Sequence, residues 1–253
     1  MNNWISGTQQ ESDYAEHHFK AGGFLELRNE TGGSIIIKTW ARPTLVITTK
    51  KTLKEKKTKP AMHVMVQEKQ ATITVPKPND DAIKIDLELM IPEQTNVSVS
   101  GRGPVKIKSV DGTLYIKTEG TIDVRHIGNS ITAISESSCS ISLHTVPLKS
   151  TISITARDHI DLALPPETNA ELCAKADHGS INCQLLFTFK PFCTKLDKNA
   201  WNRIKKEING YLGNPTFSHF ECGEPNKKNG ENAFAKIELC SKNKSINIVN
   251  CRE

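Results

Sequence analysis

The chain has 253 residues, 33 Lys and Arg against 28 Asp and Glu, and a formal net charge of +5. Aromatic residues make up 6%; Ile, Val, Leu, Thr and Ser dominate the patterned runs, a mix that suits pleated, half-buried strands. Charge this mild argues against a dedicated nucleic-acid binder, and no stretch approaches the ~18 apolar residues of a membrane-spanning helix.

Residues 1–18, "MNNWISGTQQESDYAEHH", are polar and lack the basic and apolar segments of a secretory signal. They are expected to form a loose tail, and the protein to be soluble and cytoplasmic. From Phe19 onward strands dominate. "GGFLELRNETGGSIIIKTW" reads as strand, polar turn, strand, and "TLVITT" as a third strand. "KKTLKEKKTK" follows, with Lys50, Lys51, Lys54, Lys56, Lys57 and Lys59 around a single glutamate. Its plain reading is a solvated loop between strands. Its sharper reading is a patch that docks on anionic membrane. No aromatic residue interleaves with the lysines, so bases have no stacking platform there. "AMHVMVQEK", "QATITV" and "AIKIDLELMIP" then alternate apolar and polar residues, as strands with one buried face do. Prolines at 76, 78 and 92 mark strand ends.

The centre is the most regular part. Strand starts are expected at Val105, Leu114, Ile122, Ile131, Ile141, Ile152 and Ile160. Each is followed two positions on by a second inward residue: Ile107, Ile116, Val124, Ala133, Leu143, Ile154 and Leu162. Between them lie corners such as "DGT", "EGT" and "GNS", whose Gly, Asn, Asp and Ser tolerate tight backbone turns. An antiparallel meander and a solenoid of stacked coils both produce short strands at such spacing. Close repetition of one phrase favours the solenoid, because hairpins need specific two-residue turns and only Gly128-Asn129 comes near one. With two strands per coil, stacked coils place the inward pairs in continuous apolar columns; a three-strand coil would be longer.

Longer echoes support stacking. "IDLELMIPEQTNVSV" resembles "IDLALPPETNAELC", and "LELRNETGGSIII", "LCAKADHGSINC" and "IELCSKNKSINI" share the order strand, polar corner, strand. The expected fold is therefore all-β, a right-handed β-solenoid forming one domain over residues 19–253. Residues 187–234 break the pattern and read as an irregular insertion. Within it, residues 197–208 are expected to form a short helix, with Asp197 as N-cap and Ala200, Trp201, Ile204 and Ile208 at helical spacing.

These phrases, in this order, resemble the bacterial "putative adhesin" family, a domain of unknown function with a one-sided β-helix. The residues that carry the resemblance are Leu25-Glu26-Leu27 with "GGSIIIKTW", "LELMIP", "NVSVSGRGPVKI", "LALPPETNAELCAKADHGSI", "INGYLGN" and "AKIELCSKNKSINIVN". The resemblance covers about residues 19 to 250. It implies an assembly or binding surface, and with it a location at the cell envelope. It brings no catalytic residue to carry over.

Asp123, Arg125 and His144 fall on outward positions of neighbouring rungs and form the one cluster a carbohydrate-active lyase or hydrolase would use. The plainer reading is a wet salt-bridge ladder. No HxH, HExxH, GxSxG or GxGxxG occurs, and the seven cysteines contain no CxxC. Neither a metal nor a cofactor is expected. Several cysteines lie in strand-like runs, where a free thiol acts as a small apolar filler. The resulting expectation is a non-enzymatic binding or scaffold protein that contacts a protein or a surface polymer and self-associates through its solenoid ends.

Overall fold

The computed structural model describes residues 3–5, 8–53, 62–78, 83–168, 170–178, 181–183, 187–189, 206–212 and 235–250. These residues form two open, eleven-stranded sheets. The first runs in the order β1 (Asn3–Ile5), β2 (Thr8–His18), β5 (Thr44–Leu53), β8 (Lys84–Pro92), β4 (Ile35–Trp40), β10 (Val105–Lys108), β12 (Ile122–Ile127), β14 (Cys139–Leu143), β16 (Ile160–Leu164), β22 (Ile246–Asn250), β18 (Ile181–Cys183). The second runs β19 (Phe187–Phe189), β20 (Lys206–Leu212), β17 (Ala170–Ala176), β21 (Ala235–Ser241), β15 (Thr151–Ala156), β13 (Ile131–Ser135), β11 (Leu114–Thr118), β9 (Asn96–Gly101), β3 (Phe24–Asn29), β7 (Gln70–Val75), β6 (His63–Val66).

From β9 to β16 the chain alternates between the sheets, and each strand lies parallel to the strand two ahead. Strand alternation decides which side chains face inward. In β11, Leu114, Ile116 and Thr118 are buried while Tyr115 and Lys117 are exposed. Register then stacks the buried residues into columns. Ile35, Val105, Ile122, Cys139, Ile160 and Ile246 form one column of the first sheet. Leu25, Val97, Leu114, Ile131, Ile152 and Ile237 form one of the second. All belong to a single core cluster, so each pair of consecutive strands, one from either sheet and hereafter called a coil, buries its apolar face against its neighbours.

The corners lock the coils together. A Cβ on Gly103 would drive into the Gly33 carbonyl, and one on Gly120 would stand 2.6 Å from the Gly103 carbonyl carbon. Thr118 Oγ1 donates to the Gly103 carbonyl at 2.5 Å, and Ser135 Oγ to the Gly120 carbonyl at 2.7 Å. Each hydroxyl thus satisfies a carbonyl of the preceding coil that the strand ladder leaves without a partner.

At both ends the parallel ladder turns antiparallel: β2 with β5 and β5 with β8 at one end of the first sheet, β6 with β7 and β19–β20–β17 at the ends of the second. The coils are also not stacked in chain order. The β3–β4 coil lies between β7–β8 and β9–β10, and the β21–β22 coil between β15–β16 and β17–β18.

Three expectations change. Residues 8–18, read as a loose tail, form β2, which pairs with β5 at every position from Gln9 to His18. Backbone pairing, not an apolar face, holds this polar strand in place. Lys206, Glu207 and Ile208, expected to end a helix, lie in strand β20, paired with Ala176, Lys175 and Ala174; residues 197–205 lie outside the described residues. The strand expected to start at Ile141 starts at Cys139, which pairs with Ile122 and is 1% exposed. The small apolar thiol opens the rung.

Candidate functional site

The corrected start of β14 redraws the expected cluster. Asp123 and Arg125 are opposite Ser140 and Ser142, not Ser142 and His144. Arg125 Nε and Nη2 donate to Asp123 Oδ1 and Oδ2 at 3.0 and 3.3 Å, and Lys106 Nζ lies 3.5 Å from Asp123 Oδ2. Hydrogen bonding to Asp123 holds the Arg125 guanidinium above its usual range, with the carboxylate charge adding to this. A bulge at His126, where φ is +57°, then shifts the register so that Ile127 meets Leu143. His144 is thereby carried to the level of Gly128, where a Cβ would stand 3.0 Å from its ring. The structure brings Asp123 and Arg125 together and sets His144 beyond the bulge.

Two of the six basic-loop lysines are described: Lys50 and Lys51, at the end of β5. Lys51 Nζ pairs with Asp13 Oδ2 of β2 at 2.6 Å, and its side chain is 13% exposed. Lys50 is exposed opposite Asp86, whose Oδ1 accepts from both the backbone amide and the hydroxyl of Ser34 at 2.7 Å. Lys54, Lys56, Lys57 and Lys59 lie outside the described residues.

Other outward groups come together only in three dimensions. Lys38, Lys108 and Arg125 occupy paired positions on β4, β10 and β12. Lys38 Nζ binds Glu88 Oε1 at 2.7 Å, and this hydrogen bond holds the Glu88 carboxyl below its ordinary range. On the second sheet a shallow open groove of about 320 Å³ has Ser100, Thr118 and Ile134 in its floor. Its rim carries the Arg28–Glu30 and Arg102–Glu119 pairs, at 2.7 and 3.3 Å. His159 Nε2 and Asn247 Nδ2 both reach Asp161 Oδ1, at 2.8 and 3.0 Å. The expected rungs from Val105 and Ile122 already align Lys108 with Arg125, whereas Lys38, Glu88, Arg102–Glu119 and Asn247 are joined to their partners only by strand pairings that the fold sets.

The buried Cys139 thiol is pushed up to about 12, mainly by burial. It is uncharged at neutral pH and acts as a packing group, not a nucleophile. Among the described residues, no three or more His, Cys, Asp or Glu side chains are grouped to hold a metal ion, and no helix is long and apolar enough to cross a membrane.

No family model and no curated protein matches the chain. A crystal structure of a putative cell adhesion protein from Clostridium sporogenes superposes with a TM-score of 0.54 at 12% identity, over 95% of this chain and 100% of that one. A putative adhesin from Bacteroides fragilis aligns over 94% of this chain and 97% of its own, at 12% identity and a TM-score of 0.29. The resemblance to adhesin-like proteins noted in the sequence is thus shown at the level of the fold.

Proposed function

We propose that the protein is a non-enzymatic binding protein of the adhesin-like kind. In this reading it is a right-handed β-solenoid that presents its outer sheet faces to a protein or a surface polymer. The observation that carries it is the division of labour along the rungs. Inward positions repeat as Ile, Val and Leu and are consumed by packing. Outward positions change from rung to rung, as Lys106, Asp123, Ser140 and Asp161 do on successive strands. Parallel strands joined through the opposite sheet support the solenoid, and crossovers of this kind are overwhelmingly right-handed. The likeness in fold to a putative cell adhesion protein supports a binding role at a cell surface or envelope. End-to-end self-association is a secondary route in this reading, because the outermost described strands, β1 and β18 of the first sheet and β6 and β19 of the second, are only three or four residues long and short edges template pairing poorly.

The test is to immobilise the protein on arrays of cell-surface polymers and proteins, and to assay the same polymers after incubation for new reducing ends or unsaturated sugars. Saturable binding without turnover is expected. Turnover abolished by Asp123→Ala and Arg125→Ala would replace this reading with a carbohydrate-active enzyme.

A further inference from the structure

Lys38, Lys108 and Arg125 form a row that packing does not require. They lie directly opposite one another on three consecutive parallel strands, so they rise from one face at intervals of about 4.8 Å. Like charges so placed repel and weaken the sheet. Counterions relieve this only in part. Glu88 pairs with Lys38, and Asp123 with Arg125 and Lys106. Both carboxylates sit one outward position back along the strands, on the same side of the row. Lys108, in the middle, is exposed and has no carboxylate at ion-pair distance among the described residues.

On the other side of the row the charge continues. Trp40 follows Lys38 on the same face of β4, and the Arg42 guanidinium lies 5.2 Å from its ring centre. Ser109 and His126, immediately after Lys108 and Arg125, both have left-handed backbone, at φ +64° and +57°. Residues other than glycine seldom adopt it. The strip has limits: Met90 borders Lys38 on β8, and Ser142 and Ala163 follow Arg125 on β14 and β16.

We propose that this row is the docking site of a linear anionic polysaccharide, whose regularly spaced acidic groups cross the strands and meet one cation on each. The proposal rests on the binding role above and names the chemistry of its ligand. An extended polyanion fits a flat strip better than a compact anion, because the three cations are spread across strands instead of converging on one point. Nucleic acid fits less well, because Trp40 is the one aromatic side chain on the strip and Arg42 already covers it. A bilayer also fits less well. Among the described residues the large exposed apolar side chains are Tyr14, Phe24, Met65, Tyr115 and Leu148, and none lies on β4, β10 or β12.

The experiment measures binding of the full chain to heparin and to polygalacturonate at low and high salt. Both are expected to bind, and more weakly as salt rises. Lys108→Glu is expected to weaken binding about tenfold and Lys108→Gln about threefold, the scale of single exposed charge contacts. Lys69→Glu makes the same charge change in the exposed β6–β7 turn of the second sheet and is expected to leave affinity unchanged. Unchanged melting temperatures would exclude a folding effect. The proposal is overturned if neither probe binds, if Lys69→Glu acts as strongly as Lys108→Glu, or if duplex DNA, polyglutamate or anionic vesicles bind as tightly. Array binding that persists in Lys108→Glu would overturn the strip and leave the binding role standing.

Discussion

The β3–β4 and β21–β22 coils occupy equivalent places, each one coil inside its end of the ladder, yet they reach them in opposite order. Every coil that pairs with β3–β4 comes later in the chain, so this first coil is flanked on either side by the later β7–β8 and β9–β10. Every coil that pairs with β21–β22 comes earlier, so this last coil fits between strands that precede it in the chain. The same corner sits at both crossings. Thr95 Oγ1 donates to the Pro92 carbonyl where the chain steps past β3–β4, and Thr168 Oγ1 to the Pro165 carbonyl where it steps past the later site of β21–β22, each at 2.7 Å. Identical local chemistry therefore serves two assembly problems. At one end a coil is enclosed; at the other a gap is filled.

The largest expected effect separates the two ends by truncation. A chain ending at Phe234 lacks the coil that pairs with β17 at seven positions and with β15 at six. It exposes the parallel edges of β15, β16, β17 and β18 and the apolar side chains that β21 and β22 covered, and is expected to lose cooperative melting and to aggregate on size exclusion. A chain starting at Phe19 loses β1 and β2 but no coil, and is expected to melt cooperatively at a lower temperature. If the chain ending at Phe234 stays monomeric with unchanged amide protection in β15 to β18, the gap-filling account is wrong.

Single core substitutions sharpen the same contrast through kinetics. Leu27 and Ile248 are both fully buried in apolar columns, one in each coil. Replacing either with Ala is expected to cost about 2–5 kcal/mol by urea denaturation. Ile248→Ala is expected to act almost wholly on the unfolding rate, because a coil that docks last contributes little to the transition state. Leu27→Ala is expected to slow folding as well. Equal partition of the two effects between the rates would mean that both coils dock together. A corner test comes next in size. Gly103→Ala, which forces two coil backbones apart, is expected to cost about 3 kcal/mol, at the upper end of ordinary substitutions. Gly22→Ala, at φ +72° with nothing within 4 Å of the new methyl, involves backbone strain alone and is expected to cost about 1 kcal/mol.

Much of the ladder was legible because it is written locally. The alternation of Leu114, Ile116, Ile122 and Val124, the Gly and hydroxyl corners, and the echo between residues 85–99 and 160–173 all sit within single short phrases. Strand order was not legible: "LELRNETGGSIII" and "IELCSKNKSINI" would suit any coil position, and only pairing across the whole chain places them. The Asp123, Arg125 and His144 cluster failed on one residue. Treating Ile141 and not Cys139 as the rung start moved every outward residue of β14 by two positions. Of the row of Lys38, Lys108 and Arg125, the rungs from Val105 and Ile122 already align the last two, but Lys38 lies some seventy residues before Lys108 and meets it only through the β4–β10 register. Polar β2 was equally silent, since it is held by backbone bonds that leave no periodicity to read.

The smallest effect tests what holds that strand at the early end. Lys51 Nζ lies 2.6 Å from Asp13 Oδ2, but Asp13 is 62% exposed, so solvent screens most of the attraction. The lysine stem is largely covered, and Met in its place would keep the apolar contact while removing the charge. Lys51→Met is therefore expected to change stability by less than about 1 kcal/mol, with a difference from the parent that shrinks further in high salt. Amide exchange across Gln9 to His18 is expected to stay as slow as in the parent, because the ladder to β5 carries the strand. Rapid exchange confined to those amides in Lys51→Met would show that the ion pair clamps β2. The early end would then depend on a surface charge pair, where the late end depends on a buried coil.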